Sequence, residues 1–161
     1  MDMRASPVEV AERNTDQLER LVAIYDRHAR WALEDRYRSR APSYFGLLLR
    51  KPRHIEVDDL RDIDAAVGAA GLTEPEIGSL YELTALVRGS ARNVPGEPVA
   101  VLAVEVSLTI DEGTIARAVA ARDVLRRAGY RADAVVGGEG LAVGLGVPGD
   151  VLVCQGPTGE A

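Results

Sequence analysis

The run "VAVLAVEVSL" at residues 99–108 limits the possible folds of this chain more than any other segment. It is rich in Val and far too short to cross a membrane, so it reads as a buried strand. Alternate residues of a strand share a face, so Val101, Ala103, Glu105 and Ser107 point one way and Leu102, Val104, Val106 and Leu108 the other. One residue breaks the apolar pattern. A carboxylate in the interior is costly unless something pairs with it. Glu105 therefore stands at the wet end of the strand or has a dedicated role, with Arg88 and Arg122 as candidate partners.

The remaining elements follow from punctuation and periodicity. "SPVE" at residues 6–9 is a capping box, with Ser6 as N-cap, Pro7 in the first helical position and Glu9 reaching back. From there Val8, Ala11, Thr15, Leu18, Val22, Tyr25, Ala29 and Ala32 recur at spacings of three and four, a heptad seam. The helix is expected to run to about Arg40 and stop before Pro42. So long a helix needs a partner for its seam, either another copy of the chain or the chain's own sheet, and self-association is favoured. "APSYFGLLLRKPRHIEV" reads as a loop with a short apolar element. A helix is expected over 58–70, N-capped by Asp58 and ended by Gly71, with Asp58, Asp59, Asp62 and Asp64 mostly in or near its first turn, where the dipole favours acids.

A second capping box, Thr73 with Glu76, starts a helix over 73–82. "LTALVRG" (83–89) and the 99–108 run are strands joined by a hairpin connection rich in Gly and Pro. A helix follows, with Ile115, Ala118, Ala121, Leu125 and Ala128 inward and Gly129 as its stop. "RADAVVG" and "DVLVCQ" are further strands. The glycine-rich stretch between them carries no phosphate-loop pattern and reads as a shortened or frayed helix. The order implies an α/β fold, a small mixed β-sheet flanked by helices and preceded by a long N-terminal helix. The expected organisation is an N-terminal helix over 1–33, an α/β domain over 34–156 and a flexible tail at 157–161.

Composition narrows the classes. The chain has one cysteine, Cys154, which excludes an internal disulfide and a Cys-rich zinc site and fits a reducing cytoplasm. Cys154 reads as a small buried hydrophobe. The start "MDMRASPVEV" lacks the order of a secretory signal, and no apolar run spans a membrane. The net charge of −6 argues against a uniformly basic nucleic-acid binder. Yet residues 27–53 hold eight basic side chains against two acids, Glu34 and Asp35, so this stretch is either a solvated helix face or a phosphate-facing patch. Lys51 is the single lysine.

"LEDRYRSRAPSYFGLLLRK", "GLTEPEIGSLYELTALVRG", "VAVLAVEVSLTIDEGTIARAVAARDVLRRAGY" and "AVVGGE" occur in an order that resembles a bacterial group of proteins with an N-terminal coiled coil and a restriction-endonuclease-like domain of the PD-(D/E)XK superfamily. The resemblance covers about residues 30–140. In that superfamily a helix acid, a strand Asp and Glu-x-Lys on the next strand hold Mg²⁺ and activate water for phosphodiester hydrolysis. Carried over, the resemblance puts Glu34 at the helix acid and Glu105 at the Glu; with Ser107 these are the candidate catalytic residues, and the two acids are the candidate metal ligands. Thr84 occupies the Asp position and Ser107 the Lys position. Thr84 brings no charge to the ion; Asp111 or Glu82 is a conceivable substitute, as is Lys51 for the missing lysine.

The resemblance thus implies a degenerate, non-catalytic nuclease-like domain that binds nucleic acid or a protein partner, with Arg36, Arg38, Arg50 and Lys51 as candidate DNA contacts. Two alternatives stand beside it: an active Mg²⁺-dependent endonuclease with a rearranged site, and a homo-oligomeric module built on the N-terminal helix.

Overall fold

The computed structural model describes residues 6–61 and 63–155, apart from the side chains at positions 64 and 66. The tail expected at 157–161 and Asp62 lie outside the described residues. The chain divides into two units, Met1–Ala32 and Leu33–Ala161.

The first unit holds most of helix α1, which spans Pro7–Ser39. Its start is locally encoded. Glu9 N–H donates to Ser6 Oγ at 3.2 Å, and Ser6 N–H donates to Glu9 Oε2 at 2.8 Å. Every described residue of this unit except Ala29 is exposed. The seam is therefore open within the unit, with Leu18 at 63 % and Tyr25 at 73 % exposure. Trp31 is exposed as well. No helix among the described residues is long and apolar enough to cross a membrane.

The second unit is a mixed α/β layer structure. Its five-stranded sheet has the order β1-β2-β3-β4-β5, with β1 Leu49–Ile55, β2 Ala85–Ala91, β3 Val99–Ile110, β4 Ala132–Leu141 and β5 Val151–Gln155. The first three strands pair antiparallel, and β4 and β5 add in parallel. Helix α5, Glu112–Arg127, links β3 to β4, as parallel neighbours require. The central β3 is the expected apolar run, lengthened by two residues.

Both faces of β3 are covered. Val101 and Ala103 join Leu86 and Ile55 beneath Ala121, Val124 and Leu125 of α5. This face is also packed by α3, Ile63–Ala69, and α4, Glu74–Glu82. Leu102, Val104 and Val106 pack on the opposite face with Leu33, Tyr37 and Phe45, from the last turns of α1 and from α2, Ala41–Phe45. Each fully buried large aliphatic side chain contributes about 2 kcal/mol.

Thr73 and Glu76 close the expected capping box on α4, and the structure adds one on α5, between Asp111 and Thr114. Gly129 follows α5 with φ +93°, a conformation that side chains resist.

Three expectations are corrected. The segment after Pro42 is not a loop: it contains α2 and the edge strand β1. Pro52 hides that strand, because proline enters a sheet only at an edge or a bulge, and here the β1–β2 register shifts between Arg50 and Arg53. Asp58 caps no helix. It lies in a 3₁₀ turn, Val57–Asp59, which Glu56 and Asp59 cap, and α3 begins only at Ile63. The glycine-rich stretch forms no helix. Gly137, Gly138 and Gly140 extend β4, and turns lead on to β5. Gly137 is required by contact, since a Cβ there would lie 2.6 Å from Tyr37 Cε1.

Candidate functional site

Glu105 lies in the middle of β3 at 2 % exposure, on the face covered by α5. Its carboxylate is held by protein donors. Arg117 Nε donates to Oε1 at 2.9 Å, and the Thr84 backbone N–H donates to Oε2 at 3.3 Å. Arg88 and Arg122, the partners suggested by the sequence, are not the ones used. Arg122 lies farther along α5, where it pairs with Asp123 and Asp150. Arg88 lies opposite Val101 on β2, toward the other end of the sheet. A helix that follows a strand in a crossover runs back along it, so its early turns cover that strand's end. Arg117, in the second turn of α5, was legible on that ground; Arg122 is too far along.

Thr84 immediately precedes β2, just beyond the last β2–β3 pair, Ala85 with Val104. Here side chains continue the ladder. Val106 N–H donates to Thr84 Oγ1 at 3.0 Å while Thr84 N–H is bound by Glu105. The threonine hydroxyl is thus an acceptor for backbone, buried with it.

Glu34 approaches from the end of α1. Arg38, one turn later, donates from Nε to the Thr84 carbonyl at 2.6 Å and lies 3.5 Å from Glu34 Oε2. Glu34, Thr84 and Glu105 are therefore brought into one connected group, with Arg38 and Arg117 as its cations. Ser107 is half-buried one pleat beyond Glu105 and opposite Gly138, and no hydrogen bond links it to the glutamate among the described residues. Lys51 does not stand in for a site lysine: it lies in the β1 bulge at φ 50°, toward the far end of β2 from Thr84. Asp111 does not replace the missing acid, because Thr114 N–H occupies its carboxylate at 2.8 Å and, as the first of several hydrogen bonds, lowers its pKa. Glu82 ends α4 in an exposed position.

The chemistry of this donor set is that of a clasp. Each of the two carboxylates faces a guanidinium, Glu34 that of Arg38 and Glu105 that of Arg117. Magnesium is held by carboxylate oxygens with water and phosphate, whereas both Glu105 oxygens accept from protein here. No group of three or more His, Cys, Asp and Glu suited to a metal occurs among the described residues. Arg38 and Thr84 also line a cavity of about 230 Å³ with His54 and Tyr81.

The four candidate DNA contacts fall at two places. Arg36 lies 3.8 Å from Glu139, and Arg38 is held as above, near the start of β2. Arg50 pairs with Glu97 at 3.0 Å and aligns with Ser90, near the end of β2 and about 20 Å away along the strand. Cys154 is half-buried at the end of β5. Burial raises its thiol pKa, and its Sγ–H donates to the Tyr44 carbonyl at 3.2 Å. Its own carbonyl accepts from Tyr37 Oη at 2.7 Å.

No family model, curated protein or solved structure matches this chain.

Proposed function

We propose that this chain is a non-catalytic domain of the restriction-endonuclease-like kind, in which the nuclease site has become a structural clasp, and that it acts by binding. The observation that carries this reading is the engagement of both Glu105 oxygens by Arg117 and Thr84 N–H. The order of positions supports the resemblance. A helix acid, Glu34, stands near Thr84, at the entry to β2, and Glu105 on the adjacent β3, much as a PD-(D/E)XK site would arrange them. The charges oppose hydrolysis, because Thr84 supplies no anion and Arg117 engages the carboxylate of Glu105.

Titration calorimetry with Mg²⁺ tests this reading, with Glu105→Gln as control. Wild type and variant are expected to give the same null heat, and supercoiled DNA to stay uncut in Mg²⁺. Heat in the wild type that the variant loses would instead establish the active endonuclease. For nucleic acid, duplex DNA binding over a salt series decides: phosphate contacts predict affinity that falls steeply with added salt.

A second reading concerns assembly. The seam of α1 is exposed over residues 8–32 except at Ala29, and includes Val8, Leu18, Val22 and Tyr25. A heptad seam of this kind is buried by a second helix of the same pattern, which supports self-association through α1. Light scattering across a concentration series is expected to show a rising mass for the full chain and a constant monomer mass for Leu18→Asp/Val22→Asp.

A further inference from the structure

A second cluster lies away from the clasp. Arg53 of β1 and Arg88 of β2 are direct cross-strand partners. Two residues along, their neighbours Ile55 and Leu86 are paired in the core beneath α5. Strand alternation therefore puts both arginines on that same face, at the edge of the core. Arg61, after the 3₁₀ turn, and Tyr130, after α5, meet them around an open cleft of about 590 Å³, with Asp58 and Asp59 on the remaining wall.

Among the described residues the arginines of this cleft outnumber the acids that line it. Among the described residues, Arg53, Arg61 and Arg88 form no ion pair. The two acids are engaged locally: Asp59 Oδ2 accepts from Glu56 N–H, and Asp58 Oδ1 accepts from Tyr81 Oη. Like charges directly opposite on a ladder destabilise a sheet. An oxyanion between the two guanidiniums removes that repulsion and gains charge-assisted, bidentate hydrogen bonds, for which the planar guanidinium fork is shaped.

We propose that this cleft binds the phosphomonoester group of a hydroxyl-bearing small molecule, the size of a sugar phosphate or a mononucleotide. The three arginines take the phosphate. Asp58 and Asp59 each retain a second carboxylate oxygen that accepts from ligand hydroxyls. The volume lies within the range of small-molecule sites, about 300–1,000 Å³. The same two acids disfavour an extended polyanion, since they would face its next phosphates. This site is independent of the reading given to Glu105, which lies farther along the sheet.

Calorimetry and thermal melting of the full chain test it, with ribose 5-phosphate, inorganic phosphate and ribose as probes and a single-stranded oligonucleotide as competitor. Ribose 5-phosphate is expected to bind more tightly than inorganic phosphate, and ribose to give no heat. Arg53→Gln and Arg88→Gln are each expected to weaken binding by at least about tenfold. Without ligand, Arg53→Gln is expected to melt above wild type, because a repulsion is gone; with saturating ribose 5-phosphate the order reverses. A purely structural role for Arg53 would not produce that crossing. The proposal is overturned if neither phosphate compound binds, if both bind equally, if the variants bind as wild type does, or if the oligonucleotide displaces ribose 5-phosphate through these arginines.

Discussion

Arg117 Nε stands 2.9 Å from Glu105 Oε1, joining a side chain at 51 % exposure to one at 2 %. The pair is open to water on the arginine side only. Removing the arginine takes a charged partner from a buried carboxylate, which is the costly way to break such a pair. Arg117→Met is expected to lower stability by about 2 kcal/mol, below the range for fully buried pairs because solvent reaches this one. Arg117→Met/Glu105→Gln should recover part of that loss. Urea unfolding of both variants measures the difference.

Thr84 gives a sharper chemical contrast. Its Oγ1 is the acceptor for the buried Val106 N–H. Thr84→Val keeps the shape and removes the acceptor, at an expected cost of about 1–3 kcal/mol. Thr84→Ser keeps the acceptor and is expected to stay near wild type. Amide hydrogen exchange at Val106 should quicken in the first variant and not in the second.

Acid dependence is expected at the join between α5 and β5. Asp150, just before β5, accepts from the buried Arg122 at 2.7 Å, and that hydrogen bond is the main cause of its lowered pKa. A carboxyl with a folded pKa below its unfolded value stabilises the fold above the unfolded value. That contribution is lost as pH falls through the folded one. Wild type is thus expected to exceed Asp150→Asn in stability at neutral pH, and the two to converge below the ordinary Asp value of 3.8. Urea midpoints at a series of pH values give the comparison.

Packing makes Gly137 irreplaceable. Its missing side chain is where the Tyr37 ring lies, itself stacked on Tyr44 at 4.1 Å between centroids. Gly137→Ala is expected to destabilise by about 1–3 kcal/mol through overpacking. Gly140→Ala meets no atom within 4 Å and is expected to be close to neutral. Thermal melting of the two separates contact from backbone freedom.

Much of the fold was legible locally. The caps at Ser6 and Thr73 and the apolar run of β3 involve residues close in sequence, so a short window contains both partners. The edge strand β1 was not, because Pro52 and the bulge beside it imitate a loop. The glycines of β4 were misread for a related reason: Gly137 is explained by Tyr37, a hundred residues away in the chain.

The amino-acid order alone determined an α/β chain with a long N-terminal helix and an acid, Glu105, set in a strand too apolar to leave it unattended. Only the tertiary structure decided what attends to it. Pairing in β3 with Thr84 depends on where the β2–β3 ladder ends, and pairing with Arg117 depends on how far back α5 runs. The first is written in no local pattern and the second only in the way a crossover helix runs back along its strand, because a carboxylate's partner is selected by proximity in space and by the cost of leaving its charge unpaired.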